Sequence, residues 1–272
     1  MVTNLCMRAT ASTHLLSRPL LFLSHSSAAL SVPRRHLKPY SSSAPSFSPI
    51  KMTAQIIEHI VLFRVKPETD PSKIDSMITG LNGLTSLDQV LYLTAGPVLR
   101  NRSSAFAFTH MLHSRYKTKD DLAAYSDHPD HLGVVRQRVL PICEDIMAVD
   151  WVASGLDGPV VPPSGSAMRL TFLKLKEGSG DNEKNEVLAA VGGIKETFPA
   201  IEQISFGENF SPARAKGFSI ASIAILPGAS ELEALSSNSE SINLQKDKVR
   251  EFLESVIVLD YAIPQHQQSA SL

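Results

Sequence analysis

The chain is short of several things that mark whole classes of protein. Its 272 residues hold two cysteines, Cys6 and Cys143. Two thiols so far apart make no disulfide framework. No Cys/His cluster and no His-x-x-x-His spacing is present, so nothing in the pattern supports a zinc site. No apolar run reaches the length of about 18 residues that a membrane-spanning helix needs, so no membrane partner is expected. Acidic residues are missing from the start of the chain: the first is Glu58.

That last absence divides the chain. Residues 1–51 hold six of the 26 basic residues, 11 serines and none of the 27 acids. A basic, serine-rich, acid-free segment has the composition of a transit peptide, or of a disordered tail. The rest carries 20 basic against 27 acidic residues, a net charge of −7. Such a body repels phosphate polyanions, so no nucleic-acid partner is expected. The ending Ala270, Ser271, Leu272 approaches a peroxisomal tripeptide but lacks its basic middle residue. These two signals point to different addresses and leave chloroplast, mitochondrion and peroxisome open. Translation from Met52 would leave a cytosolic product.

What is present is a repeat. Residues 58–66 resemble 168–176, 122–125 resemble 232–235, and 144–151 resemble 254–261, each at an offset of 110. Residues 105–110 resemble 217–222 at 112, which aligns His110 with Ser222. Four segments in one order indicate duplication. Each copy reads β-α-β-β-α-β, a ferredoxin-like order. A strand alternates around Ile60, Leu62 and Val65. Asp70 caps a helix that has Pro71 at its first position. A second strand is expected over about 89–93, broken by Gly96 and Pro97, and a third near 106–112. Thr118 caps a short helix. His128 and Pro129 split it from another over about 132–142, and a last strand ends at Trp151. The Gly- and Pro-rich stretch 155–166 suits a junction. The organisation is therefore a leader (1–51), a first domain (55–152), a linker (153–167), a second domain (168–262) and a tail (263–272). A sheet with one bare face needs cover, so the two copies are expected to close one barrel within the chain.

The chemistry-bearing residues cluster in the first copy. His59 lies on the first strand and His110 on the third, the central pair of such a sheet. Tyr125 and His131 flank the helix break, where both could face one cavity. An imidazole near neutral pH gives or takes a proton, and a phenol donates to a developing oxyanion. His59 also fits a core histidine, and His128 with Pro129 also fits a plain turn. In the second copy the matching positions hold Arg169, Ser222, Leu235, Asn238 and Ser241. No proton-transfer set survives there.

Residues 59–63 (His-Ile-Val-Leu-Phe), Thr109 with His110, residues 125–131 (Tyr-Ser-Asp-His-Pro-Asp-His) and the closing 146–151 resemble the stress-response A/B barrel family, its tandem organelle-targeted plant members above all. The match is strong over 55–152 and weaker over 168–262. The resemblance implies an α+β fold of two ferredoxin-like units forming an intramolecular dimeric barrel. It favours the peroxisome or chloroplast among the three addresses. It implies a protective or small-ligand-binding role in which no cofactor is required. The family also includes olivetolic acid cyclase, a polyketide cyclase. Its tyrosine and the histidine six residues later match Tyr125 and His131, and its further pocket histidines match His59 and His110. The resemblance thus also admits a cyclase-like enzyme with His59, His110 and His128 lining the pocket. A dimerising scaffold is a third reading, with a homodimer formed beyond the internal pair. Some plant members bind Mg2+ through backbone carbonyls, which by resemblance fall at Leu84, Leu87 and Val90. A small apolar ligand is the expected partner.

Overall fold

A computed structural model describes residues 55–103, 106–237, 247 and 249–265. The leader, Asn238, Ser241 and the end of the tail, with its terminal tripeptide, lie outside the described residues.

The first copy runs β1 (Ile57–Val65), α1 (Pro71–Gly83), β2 (Tyr92–Pro97), β3 (Arg100–Asn101), β4 (His110–Tyr116), α2 (Lys119–Asp127), α3 (Pro129–Val134), a π-helical turn over Val135–Val139, and β5 (Cys143–Val152). The second runs β6 (Ala167–Leu175), α4 (Asp181–Gly192), α5 (Ile194–Thr197), β7 (Gln203–Glu208), β8 (Ile220–Leu226), α6 (Ala229–Ser237) and β9 (Leu253–Ala262). Local chemistry sets the helix starts as expected. The Asp70 carboxylate accepts from Ser72 N–H at 2.8 Å, with Pro71 following. The Thr118 hydroxyl accepts from Asp121 N–H at 3.0 Å.

Three expectations need correction. The second strand covers 92–97 and runs through Gly96 and Pro97. It is an edge strand, where a proline at the end costs no ladder bond. Its outer side is held by Asn82, whose amide both donates to and accepts from the Ala95 backbone at 2.9 Å. The third strand starts at His110, not near 106. Phe106 and Phe108 instead stack on each other at 5.9 Å beside the core. The last helix is shorter than 132–142, because its second half is wound as the π turn.

The first sheet has the order β2-β4-β1-β5 and the second β3-β9-β6-β8-β7. The strand registers give an offset of 110 for β1, β4 and β5 against β6, β8 and β9, and of 111 for β2 against β7. His59 faces Ser114 and Asp150, and its counterpart Arg169 faces Ala224 and Asp260. His110 pairs with Phe63 and Ile220 with Leu173, so the structural partner of His110 is Ile220 and not Ser222.

The sheets pack face to face. Ile60, Leu62, Met147, Val149 and Trp151 of the first copy share a buried core with Met168, Leu170, Ile223, Leu259 and Tyr261 of the second. The alternate residues of β1 (Ile57, Phe63, Val65) face the other way, under the helices. The barrel closes along two matching seams. Trp151 Nε1 donates to the Ser205 hydroxyl at 3.1 Å, and Tyr261 and Thr94 share a hydroxyl–hydroxyl bond of 2.9 Å. Each aromatic lies against a glycine. A Cβ on Gly207 would meet Trp151 at 2.9 Å and the Val152 carbonyl at 2.7 Å, and one on Gly96 would meet the Tyr261 hydroxyl at 3.1 Å. These glycines serve close approach between the copies.

The seams also exchange loops. Leu99 N–H donates to the Asp260 carbonyl at 2.9 Å, placing β3 of the first copy on β9 of the second. In return Phe210 N–H donates to the Asp150 carbonyl at 2.9 Å, placing the loop after β7 along β5.

A buried polar group lies on the barrel-facing side of the first copy's sheet. Glu58 accepts from His113 Nε2 at 2.6 Å and from Arg115 Nε at 3.1 Å. Arg115 also donates to Gln203 at 2.8 Å and to the Val160 carbonyl at 2.6 Å, which straps the linker over that end of the barrel. The second copy has Met168, Ile223 and Ile225 at the three matching positions.

Candidate functional site

The candidate site lies in the first copy, between its sheet and its helices. β1 and β4 place His59, Ser114 and Tyr116 on the helix-covered face, and the split between α2 and α3 brings two more rings over them. The Tyr125 and His131 ring centres are 4.6 Å apart. Tyr125 lies 5.2 Å from Tyr116 and 6.4 Å from His59. Three predicted residues, His59, Tyr125 and His131, therefore meet.

The structure adds a partner that the sequence reading did not assign. His59 Nδ1 bonds to the Asp150 carboxylate at 2.5 Å, with both side chains about 4% exposed. Burial pushes the Asp150 carboxyl up. The His59 ring, its hydrogen bond, Ser211 and Arg214 outweigh that and hold it below its ordinary value. An ionised Asp150 only accepts, so His59 Nδ1 carries a hydrogen and Nε2 is the uncommitted ring nitrogen. His131 Nδ1 donates to the Ser126 carbonyl at 2.9 Å, which leaves its Nε2 uncommitted as well. Burial pushes the His131 pKa down, so it is neutral at neutral pH and its Nε2 is an acceptor. Burial pushes the Tyr125 and Tyr116 phenols up, which keeps both protonated as donors. Ser114 bonds the Tyr116 hydroxyl at 2.9 Å.

The other predicted residues stand apart. His110 pairs with Phe63, four residues along β4 from Ser114, or about 13 Å at the usual strand rise. It bonds Thr109 at 2.9 Å, and burial lowers its pKa. His128 caps α3 by accepting from Asp130 N–H at 3.2 Å, a turn-forming role. The Leu84 and Leu87 carbonyls already accept from Leu87 and Val90 N–H at 3.2 and 2.9 Å. Among the described residues no three His, Cys, Asp or Glu side chains are grouped to hold a metal ion. No described helix is long and apolar enough to cross a membrane.

Two open clefts flank the site without including it. One of about 400 Å³ lies at the seam beside Phe210, and one of about 580 Å³ lies between α1 and α3. Neither is lined by His59, Tyr125 or His131.

The second copy has lost this chemistry by substitution. Arg169, Ala224, Leu226 and Leu235 stand where the first copy has His59, Ser114, Tyr116 and Tyr125. Asp260 remains, but Arg169 takes both its oxygens at 2.8 and 3.0 Å, and Arg102 from the first copy adds a third bond at 2.9 Å. A titratable pair has become a fixed ion pair.

The model of the stress responsive A/B barrel domain matches twice, over residues 57–153 and 168–263. The chain belongs to the stress-response A/B barrel family. Within it, the chain is 52% identical over 263 residues to a stress-response A/B barrel domain-containing protein of Arabidopsis thaliana, covering 95% of this chain and 97% of that one. It is 44% identical over 213 residues to a second stress-response A/B barrel domain-containing protein of the same plant, covering 78% and 98%. The tandem ferredoxin-like A/B barrel arrangement stands on both the domain matches and the sheets described above. An anthrone oxidase-like protein of known structure superposes with a TM-score of 0.56 over 78% of this chain and 92% of its own. At 10% identity, that likeness is one of fold. Asp150 could have been singled out from this family's repeat. The Asp-aromatic endings at 150–151 and 260–261 recur, yet a recurring acid reads as a marker of duplication until strand pairing sets it opposite His59.

Proposed function

We propose that the first copy of this stress-response barrel binds a small molecule with a phenolic or carbonyl oxygen, and that the second copy serves as a structural wall. The observation that carries this reading is the convergence of Tyr125, His131 and the buried His59–Asp150 pair in one copy, of which only the aspartate is kept in the other, fixed there by Arg169. A protonated phenol donates to a carbonyl, and a neutral imidazole nitrogen accepts from a hydroxyl. The apolar residues around them supply contact area. Tyr125→Phe is expected to weaken binding of hydroxyacetophenone about tenfold, the effect of one lost hydrogen bond in a buried site. Isothermal titration of the full chain checks this, and equal affinity in the variant and the parent would remove Tyr125 from the site.

The His59–Asp150 bond favours a second reading, a polyketide-cyclase-like enzyme closing rings by aldol chemistry. A carboxylate behind Nδ1 strengthens Nε2 as a proton acceptor, the arrangement a general base requires. Removal of an α-proton with the carbonyl oxygen held by Tyr125 is the first step of such a closure. The full chain is then expected to speed exchange of the methylene protons of acetylacetone into D2O, followed by proton NMR. Asp150→Asn is expected to slow that exchange by about a hundredfold or more. Exchange no faster than in buffer leaves the binding role alone.

A further inference from the structure

The two copies make the same exchange of loops, and the difference between the two results is informative. In the second copy, the visiting strand from the first brings two arginines. Arg102 bonds Asp260, and Arg100 pairs with Glu233 on α6. Together with Arg169, these cations have carboxylates of the protein as partners. Asp260, the counterpart of Asp150, is thus bonded by arginines from both copies.

In the first copy, the visiting loop comes from residues 209–218 of the second. Asn209 Oδ1 accepts from Asp150 N–H at 3.1 Å, and Phe210 N–H donates to the Asp150 carbonyl. Lys119, at the start of α2, lies 4.1 Å over the Phe210 ring. Lys216 pairs with Asp145 on β5 at 2.7 Å. The loop is thus pinned both to the strand that carries Asp150 and to the helix that carries Tyr125. Between these pins the turn Pro212–Arg214 packs against β5, the strand of Asp150. Ser211 and Arg214 help hold the Asp150 carboxyl below its ordinary value, with Arg214 also lowering the His131 pKa. Arg214 is exposed, and its guanidinium makes no hydrogen bond or ion pair with the described residues. Asp150 is committed to His59.

We infer that Arg214 of the second copy is a specificity residue of the first copy's site, where it receives the carboxylate of an anionic ligand whose phenolic or carbonyl oxygen reaches Tyr125 and His131. The second copy is then more than a wall, because the site is incomplete without its loop. A planar guanidinium accepts a carboxylate through two parallel hydrogen bonds. At the other seam the same geometry is satisfied internally by Asp260 and Glu233. Here no carboxylate among the described residues bonds Arg214, which leaves it open to a carboxylate from a ligand. The ligand class is a small aromatic or enolic carboxylate.

The inference rests on the binding function proposed above, and one experiment separates the two. Salicylate and its neutral counterpart salicylamide share shape and phenol and differ in charge. Each is titrated into the full chain, into Arg214→Gln and Arg214→Lys, and into Tyr125→Phe. The expected result is that the parent prefers salicylate by about tenfold or more, the scale of one charge-assisted pair at a partly exposed site. Arg214→Gln loses that preference by weakening salicylate more than salicylamide, Arg214→Lys keeps part of it, and Tyr125→Phe weakens both probes. Arg214 is exposed, so the Gln variant is not expected to disturb the fold. Tyr125-dependent binding with the same salicylate preference in Arg214→Gln and the parent overturns the role of Arg214 alone. Failure of both probes to bind, or binding indifferent to Tyr125, overturns the underlying function and this inference with it.

Discussion

Glu58→Ala lowers the stability of the full chain by about 3–5 kcal/mol, the usual cost of removing one partner from a buried ion pair. Glu58 is fully buried, and the variant leaves the Arg115 guanidinium in the barrel without its counter-charge. The same group gives the stability its pH dependence. Burial alone would push the Glu58 carboxyl up, but Arg115 and His113 outweigh burial and bring it from 4.5 down to about 2. A carboxyl depressed on folding stabilises the protein above its unfolded value and loses that contribution as pH falls toward its folded value. The shift corresponds to about 3 kcal/mol lost between about pH 4.5 and about pH 2. His113 adds to the trend. Burial, joined by Arg115, pushes its pKa down and prevails over Glu58, which favours the charged ring. The folded state therefore holds a neutral ring that donates from Nε2, with Nδ1 buried and unpaired. A histidine lowered on folding also destabilises as pH falls below its ordinary value, so the acid loss begins near about pH 6.5. Urea unfolding followed by circular dichroism from about pH 7 to about pH 3 checks the slope. The second copy supplies the decisive control. Glu58→Met, His113→Ile and Arg115→Ile together install its apolar trio and are expected to restore stability to within about 1 kcal/mol of the parent or above it. A triple variant as unstable as Glu58→Ala would mean that the network stabilises on its own account. The linker would still loosen over 157–161, because Arg115 no longer holds the Val160 carbonyl, and amide exchange there is expected to rise.

Trp151→Ala is expected to cost about 3–5 kcal/mol, the range for truncating a fully buried aromatic. Trp151 lies at the seam with no exposed surface, against Gly207 and bonded to Ser205. The hole would open between the copies. Ser205→Ala removes only the hydrogen bond and is expected to cost about 1 kcal/mol. Urea unfolding by circular dichroism measures both, since the variant lacks the chain's single tryptophan. A loss under about 1 kcal/mol in Trp151→Ala would mean that the copies do not share one core.

The pattern along the chain was enough for the duplication, the element order and the helix caps. Each rests on chemistry confined to a few neighbours: alternation of apolar residues, an Asp or Thr before a helix, a proline at its first turn. It was also enough to bring Tyr125 and His131 together, because they flank one helix break. It was not enough where meaning depends on a partner far along the chain. The partner of His59 is Asp150, set by strand pairing across 91 positions. His110 shares the same sheet face, but strand rise carries it out of reach, a distance that residue type does not encode. Gly96 looks like a strand breaker until Tyr261 of the other copy is seen to need the space. Arg214 reads as one more surface charge until the loop exchange carries it from the copy without chemistry to the copy with it. Duplication explains the division. Each copy's own sequence sets its fold, and the contacts that distinguish one copy from the other arise only when the two sheets close on each other.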